Sequence, residues 1–508
     1  MGDMRVQEPD RDGAGKSDEP AAAVPNQSAT AAAQRALANA DVFLRRARDA
    51  TAKFRLLDQA PVDRIVHAVY RAALDRRVEL AKLAHEETGI GDWRHKVIKN
   101  AIAAQLVYDD IKSLKTVGVI SDDQRSGVVE IAQSLGPILG LIPVTNPTAT
   151  AIFKILISLK TRNPLILSPH NGARRCVAAT AEACYEAAVA AGAPDNCIQW
   201  LPKSTPELTR ALMSHRKLAL IIATATGSVV REAQASGTPV FGVGPGNVPV
   251  YIGASADVPF AVSSILESKT FDNGTICASE QAVVVKRAVA GRVIAAFEHQ
   301  GAYFLKAEDV AKVGVIAYDG NRGMMTPTVV GQSVERIASS AGITVPAGTR
   351  VLIATLDGVG PAYPLSAEIL APILAFYVEE DFDAAIRRCS EITHFGGTGH
   401  TAVIYSNSEE RIEYFSRTID ASRILVNMPS THGALGGIFN SLSPSFTLAC
   451  GSGGNNLTTD NITARHLLNV HRITRRRPNP RWASFPVERF LDETVSGEAI
   501  EVEYNRNF

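Results

Sequence analysis

Between Ile138 and Val243 the chain alternates short, wholly apolar runs with helix-like stretches, and this alternation constrains the fold more than any other feature. Ile138-Leu-Gly-Leu-Ile142, Pro164-Leu-Ile-Leu167, Leu218-Ala-Leu-Ile-Ile-Ala223 and Pro239-Val-Phe-Gly-Val243 read as strands. Thr148–Leu159, Cys176–Ala190 and Val229–Ala235 read as the helices between them. A strand that is apolar on both faces has to be covered on both faces, and alternation with helices does this for a parallel sheet. Such a sheet takes its ligands at the carboxyl ends of its strands, where Asn146, Ser168 and Thr224 fall. A second α/β stretch runs from Val248 to Asn440, with strands expected at Gln281–Lys286, Arg350–Ile353 and Thr401–Tyr405 and a helix at Arg292–His299. Ahead of both, the Ala-rich stretch from Ser28 to Thr88 spaces Val42, Phe43, Ala47, Thr51 and Phe54, then Ile65, Val66, Val69 and Leu80, in helical fashion.

Length and composition narrow the class. A chain of 508 residues has room for roughly two to four structural domains. Its 52 basic and 52 acidic residues cancel, so bulk charge points to neither nucleic acid nor an anionic membrane. The six cysteines are far apart and form no C-x-x-C pair. That fits a reducing compartment and argues against a zinc knuckle or a disulfide scaffold. No apolar run reaches the ~18 residues of a membrane span. Residues 1–27 are rich in Asp, Glu, Gly and Pro; they lack the apolar core of a signal peptide and read as a disordered tail. A soluble, cytoplasmic protein is expected.

Cys277 is the candidate nucleophile. It follows the polar, Gly-containing approach Lys269-Thr-Phe-Asp-Asn-Gly-Thr-Ile276 and precedes the strand-like Ala282-Val-Val-Val285. A nucleophilic cysteine needs its proton removed or its pKa lowered, and it needs donors facing the oxyanion that forms on attack at a carbonyl. Asn146, at the end of Ile142-Pro-Val-Thr-Asn146, would supply one donor and the Cys277 N–H the other. On spacing alone a small buried hydrophobe is the commoner reading of such a cysteine.

The Gly-rich segments divide the same way. Gly242-Val-Gly-Pro-Gly-Asn247 is either a tight strand exit or part of a ligand cradle. Thr226-Gly227-Ser228 opens a helix after a strand and offers N–H groups to a phosphate; any strand-to-helix turn has the same pattern. Gly396-Gly-Thr-Gly-His400 puts His400 at a pocket rim or at an ordinary structural position. The run Arg472–Arg481 reads as a solvated face or a phosphate contact. Beyond it, Phe485, Val487, Phe490 and Leu491 suggest a short amphipathic helix, for docking or for packing against a second copy.

Taken together, several long segments in order resemble the aldehyde dehydrogenase superfamily. They are more narrowly similar to its CoA-acylating branch, found in the aldehyde half of bifunctional aldehyde–alcohol dehydrogenases. The resemblance runs from Ala38 to Arg477. It rests on Leu141–Thr148, Ile152–Asn163, Ser168-Pro-His170, Gly242–Asn247, Lys269–Glu280, Gly399-His-Thr401, Arg423–Pro429 and Cys450-Gly-Ser452. It implies an α/β fold with a nicotinamide cofactor domain of Rossmann type over residues 28–247 and a catalytic domain over 248–440. A return and oligomerisation segment would follow at 441–480, then a C-terminal extension at 481–508.

By the same resemblance Cys277 is the nucleophile and Asn146 the side-chain half of the oxyanion hole. Ser168, Pro169 and His170 would lie near the adenosine end of NAD (or NADP), and Thr226, Gly227 and Ser228 near its pyrophosphate. Gly244 would join the cofactor cradle and Glu368 would bond the nicotinamide ribose. His400 would manage protons during thioester exchange with coenzyme A. Hydrolytic members carry a general-base Glu where this chain has Gly242–Pro249, with no carboxylate. Without that base, worth roughly 10²–10⁴-fold, acyl transfer to CoA is favoured over hydrolysis.

The expected reaction is therefore oxidation of a short aldehyde, acetaldehyde by default, to its acyl-CoA. Propionaldehyde, succinic semialdehyde and sulfoacetaldehyde are alternatives. A homodimer or homotetramer, interfacing after Thr463, and association with filaments or a bacterial microcompartment are implied by likeness alone. No alcohol dehydrogenase half follows in these residues, so the aldehyde is expected from another enzyme. No metal is expected.

Overall fold

The computed structural model describes residues 27–506. The tail expected over residues 1–27 lies outside the described residues apart from Gln27, which begins the first helix. The Ala-rich stretch forms three helices, Gln27–Phe54, Gln59–Asp75 and Arg77–Thr88. The longest apolar strands of the chain then build two parallel sheets, as their sequence pattern requires.

The first sheet has five strands in the order Ile198–Trp200, Leu165–Pro169, Ile138–Ile142, Leu220–Thr224, Val240–Val243, every neighbouring pair parallel. The chain enters at the central strand, winds outward on one side and crosses to the other. The crossover lies between Ile138–Ile142 and Leu220–Thr224, where an open α/β sheet leaves a crevice at its carboxyl edge. Helix Pro147–Lys160 is buried along its whole length, packed between this sheet and helices Gln59–Asp75 and Arg174–Ala190. Its Lys154 has no carboxylate partner among the described residues. Instead Nζ donates to the carbonyls of Leu141 at 2.6 Å and Ile222 at 2.9 Å, tying together the two strands that flank the crossover.

The second sheet has seven parallel strands in the order Ala302–Phe304, Val351–Thr355, Ile373–Glu379, Glu280–Lys286, Val248–Ile252, Gly399–Tyr405, Ala421–Val426. Helices Val258–Thr270 and Arg287–His299 supply the core on one face, and helices Ala307–Ala317, Val334–Ala341 and Phe382–Gly396 that on the other. The helix expected from Arg292 begins at Arg287. Gly291 lies within it, exposed and with open space around its Cα.

A third sheet is antiparallel and joins distant segments: Gly118–Asp123, Val128–Ser134 and Leu468–Thr474. Residues 118–134, contiguous in sequence with the first α/β unit, are thus paired with the far end of the chain. Beyond it come helices Pro480–Ser484, Glu488–Leu491 and Gly497–Asn505, where one amphipathic helix was expected. Trp482 stacks on Phe490 at 5.4 Å between ring centroids and Phe485 meets Tyr504 at 5.5 Å, while Trp482 and Leu491 stay exposed. Among the described residues no helix is long and apolar enough to cross a membrane.

Candidate active site

The residues singled out by sequence converge between the carboxyl edge of the five-stranded sheet and the amino edge of the seven-stranded one. Asn146 comes from the first, capping helix Pro147–Lys160 just past strand Ile138–Ile142. From the second come Cys277, just before strand Glu280–Lys286, Gly246, just before Val248–Ile252, and His400, the second residue of Gly399–Tyr405. The rule that parallel sheets use their carboxyl ends accounts for only half of this site.

Cys277 is delivered by an abrupt turn. Helix Val258–Thr270 starts at Asp257, whose carboxylate accepts from the Phe260 N–H at 3.1 Å. It ends against three successive residues in the left-handed region, Asp272 (φ 49°), Asn273 (φ 54°) and Gly274 (φ 73°). A non-glycine residue held there costs about 1–3 kcal/mol, so its surroundings must fix it. Asp272 takes the Asp92 N–H on Oδ1 at 2.7 Å and Thr275 Oγ1 on Oδ2 at 2.8 Å, while its own N–H donates to His95 Nδ1 at 2.9 Å. Asn273 Nδ2 donates to the Gly331 carbonyl at 2.9 Å. The turn reverses the chain and brings the Thr275 carbonyl, two residues ahead of Cys277, to 3.3 Å from Asn146 Nδ2, which also donates to Thr145 Oγ1 at 3.1 Å.

Of the six cysteines Cys277 alone is not fully buried, which separates it from the small-hydrophobe reading. Desolvation, then the nearby Glu368 and Cys450, push its thiol up to about 12, while Arg423 and the Cys277 backbone N–H act the other way. The thiol is protonated at rest. Arg423 is buried without a carboxylate partner; its Nη2 donates to the His400 carbonyl at 2.9 Å and its Nη1 to the Ala449 carbonyl at 2.9 Å.

His400 is not at a pocket rim. It is completely buried, because Arg423 and the returning segment around Cys450 close over the Gly-rich loop: a Cβ on Gly399 would stand 2.1 Å from the Cys450 carbonyl. Burial and then the Arg423 charge bring its pKa down to about 3, leaving a neutral imidazole. Nδ1 sits 3.0 Å from Thr401 Oγ1 and Nε2 has no partner among the described residues. A buried orphan nitrogen is costly unless something fills the position.

Glu368 lies in the loop between the short turn Pro364–Ser366 and strand Ile373–Glu379. Its Oε1 accepts from the Gly246 N–H at 2.9 Å, and burial raises its carboxyl to about 7. Along the crossover edge, Ser168 Oγ lies 3.3 Å from both Ser204 Oγ and Thr209 Oγ1, and Pro169 ends the same strand. His170 is exposed, its Nδ1 accepting from the Gly172 N–H at 3.0 Å. Thr226 caps helix Gly227–Gln234, with its Oγ1 3.2 Å from Ser228 Oγ. A Cβ on Gly227 would stand 3.5 Å from Pro245 Cδ, so this helix start abuts the segment leading to Gly246; Gly244 faces open space. A helix N-terminus at a crossover point, with glycine where a backbone must be approached, suits the pyrophosphate of a dinucleotide. Glu368 stands further along toward Cys277. These residues fit a nicotinamide cofactor.

Sequence reasoning missed Lys96, Lys99 and Asp272, a buried ion cluster beneath Asn146, and the role of Arg423. Among the described residues no group of three metal-ligating side chains occurs.

Comparison with known proteins agrees with the geometry. The sequence profile of the aldehyde dehydrogenase family matches residues 16–442. The aldehyde-alcohol dehydrogenase of Clostridium acetobutylicum is 42% identical over 450 residues, 88% of this chain and 52% of that protein. This chain therefore spans about half the length of the curated relatives it matches most strongly. The crystal structure of an acetylating aldehyde dehydrogenase from Geobacillus thermoglucosidasius superimposes with a TM-score of 0.85 at 41% identity, covering 88% of this chain and 99% of that one. Propionaldehyde dehydrogenase of Rhodopseudomonas palustris, solved with bound propionyl-CoA, gives 0.77 at 25% identity, covering 86% and 94%. With a family profile matching most of the chain and a relative 42% identical over 88% of it, this chain belongs to the aldehyde dehydrogenase family.

Proposed function

We propose that the protein is a CoA-acylating aldehyde dehydrogenase, oxidising a short aldehyde with NAD+ and coenzyme A to an acyl-CoA and NADH. The observation that carries this reading is the surroundings of Cys277: the Asn146 amide contacts the loop leading to it, and the Gly244–Asn247 segment beside it has no carboxylate of its own to activate water.

In this reading the Cys277 thiol gives its proton to solvent as its sulfur adds to the aldehyde carbon. The carbonyl electrons move to oxygen, where the Asn146 Nδ2–H and the Cys277 N–H donate. When bound, NAD+ accepts the hydride released as that oxyanion collapses, leaving a thioester on Cys277. Ser168, Pro169 and His170 on the adenosine side, Thr226, Gly227, Ser228 and Gly244 around the pyrophosphate, and Glu368 at the ribose hold the cofactor in line. The sulfur of CoA then attacks the thioester carbonyl, and Cys277 leaves as thiolate. The Nε2 of His400, unpartnered among the described residues, accepts a hydrogen bond from the attacking thiol, whose proton is released to solvent. One thioester replaces another, so the sequence runs in either direction.

Acetaldehyde is the default substrate, by similarity to the acetylating enzyme. Propionaldehyde, succinic semialdehyde and sulfoacetaldehyde are alternatives within the same chemistry, as is NADP for NAD. Hydrolysis to the free acid has one observation in its favour, the Glu368 carboxyl poised at about 7 within electrostatic reach of Cys277. Its tie to the Gly246 N–H weighs against that role. A homodimer or homotetramer joined through the Leu468–Thr474 region, a cytoplasmic site in keeping with six unpaired cysteines, and association with a microcompartment or filament complete the reading.

The test is NADH formation from acetaldehyde and NAD+ with and without CoA, for wild type and Cys277→Ala. Turnover that needs both CoA and Cys277 supports the proposal. Steady CoA-independent turnover makes the enzyme hydrolytic.

A further inference from the structure

Helix Trp93–Ala101 carries two buried lysines, Lys96 and Lys99, and both reach Asp272 in the left-handed turn ahead of Cys277. Lys96 Nζ lies 3.0 Å from Asp272 Oδ2, and Lys99 Nζ makes a still shorter contact with the same oxygen. Burial alone would raise the Asp272 carboxyl, but Lys99 and Lys96 hold it below the usual carboxylate range. Two ammonium groups on one carboxylate leave a net positive charge in the interior, and each cation spends its other donors on the active-site loops. Lys96 donates to the Thr145 carbonyl at 3.1 Å. Lys99 donates to Thr275 Oγ1 at 2.8 Å and to Asn146 Oδ1 at 2.5 Å.

The last contact decides the orientation of the candidate oxyanion-hole amide. A carboxamide can present its oxygen or its NH2 to a neighbour with little change of shape, but an ammonium has donors only. Lys99 therefore selects Oδ1, which turns Nδ2 the other way, where it donates to Thr145 Oγ1 at 3.1 Å and to the Thr275 carbonyl at 3.3 Å, so that an oxyanion beside Cys277 would take over one of these two N–H bonds. A charged donor on Oδ1 also draws electron density from the amide and strengthens the N–H as a donor. The cluster spans the cleft: Asn146 follows a strand of the five-stranded sheet, Asp272 precedes one of the seven-stranded sheet, and helix Trp93–Ala101 bridges them.

We propose that Lys99 is a positioning residue of the oxyanion hole, locking the Asn146 amide with its N–H toward the reacting oxygen, and that Asp272 and Lys96 clamp Lys99 in place. This rests on the acylating reading above. The cluster ends on the amide that contacts the loop carrying Cys277.

The experiment is a double-mutant cycle on the pre-steady-state NADH burst, using Lys99→Met, Asn146→Ala and the pair, with KM for NAD+ and CoA measured alongside. Lys99→Met is expected to slow the burst roughly 10²-fold, the scale of one lost oxyanion donor, with both KM values unchanged. The pair should be no slower than Asn146→Ala alone, because Lys99 acts through that amide. Losses that multiply, or an unchanged burst in Lys99→Met, overturn the proposal. Should Lys99→Met fail to fold, Asp272→Asn keeps the shape, releases the clamp and is run through the same cycle with the same criteria. A wild-type enzyme that makes no NADH overturns the functional reading and this inference with it, whereas multiplying losses in an active enzyme overturn the inference alone.

Discussion

Gly246 separates the Cys277 carbonyl from the His400 ring so narrowly that a Cβ at this position would stand 2.3 Å from Cys277 O and 3.0 Å from His400 Cγ. The first contact is with backbone and cannot be relieved by rotating a side chain. Gly246→Ala should therefore displace the nucleophile's loop, lowering NADH formation by at least roughly 10²-fold, since misplacement of about 1 Å is enough for that. Steady-state kinetics on a variant with wild-type circular dichroism checks it.

His400 is neutral and buried with Nε2 free, so its removal should spare the first half-reaction and slow the second. His400→Ala is expected to keep the NADH burst within a few-fold of wild type and to lower the rate of acyl transfer to CoA about tenfold, the scale of one net hydrogen bond. Stopped-flow mixing of acyl-enzyme with CoA separates the two steps. Equal losses in both would mean that the ring only supports the Gly246 loop.

Glu368 meets the cofactor before it meets the chemistry. Glu368→Gln keeps the acceptor for the Gly246 N–H and removes the charge, so CoA should remain obligatory while KM for NAD+ rises about tenfold, equivalent to ~1.4 kcal/mol. Loss of a CoA-independent activity in this variant would instead make Glu368 a hydrolytic base.

Glu280 gives a pH signature without bearing on substrate. It is fully buried, with Oε1 accepting from the Ser430 N–H at 2.8 Å and Oε2 unpartnered among the described residues, and burial raises its carboxyl from 4.5 to about 7. A carboxyl raised in the folded state binds more protons folded than unfolded between those two values. Its stabilising effect is complete below about 4.5 and is lost as the pH rises through about 7. Glu280→Gln should therefore melt higher than wild type at pH 8, with the gap closing toward pH 5. Thermal melts across that range test it. A gap that widens toward acid would reverse the sign.

The parallel sheets and the meeting of Asn146 with the Cys277 loop were legible because both depend on local signals: apolar runs long enough for a strand, and polar residues at their ends. The antiparallel sheet was not, since Val128–Ser134 acquires its partner Leu468–Thr474 from the far end of the chain and residues 118–134 look like an approach to the first unit. Lys96 and Lys99, three apart on one helix, look in sequence like a solvated face; only Asp272, brought over by a turn no propensity scale anticipates, accounts for their burial. His400 seemed to sit at a rim because glycines surround it, yet those glycines are what let the segment around Cys450 pack directly on the loop.

The central claim, a Cys277 thioester that CoA relieves and water does not, is tested most directly by a burst experiment in which enzyme is mixed with excess acetaldehyde and NAD+ in the absence of CoA. The account predicts about one NADH per active site, then a halt, a mass increase of one acyl group on the peptide carrying Cys277, and immediate resumption on adding CoA. Continuous NADH formation without CoA, with free acid as the product, would contradict it.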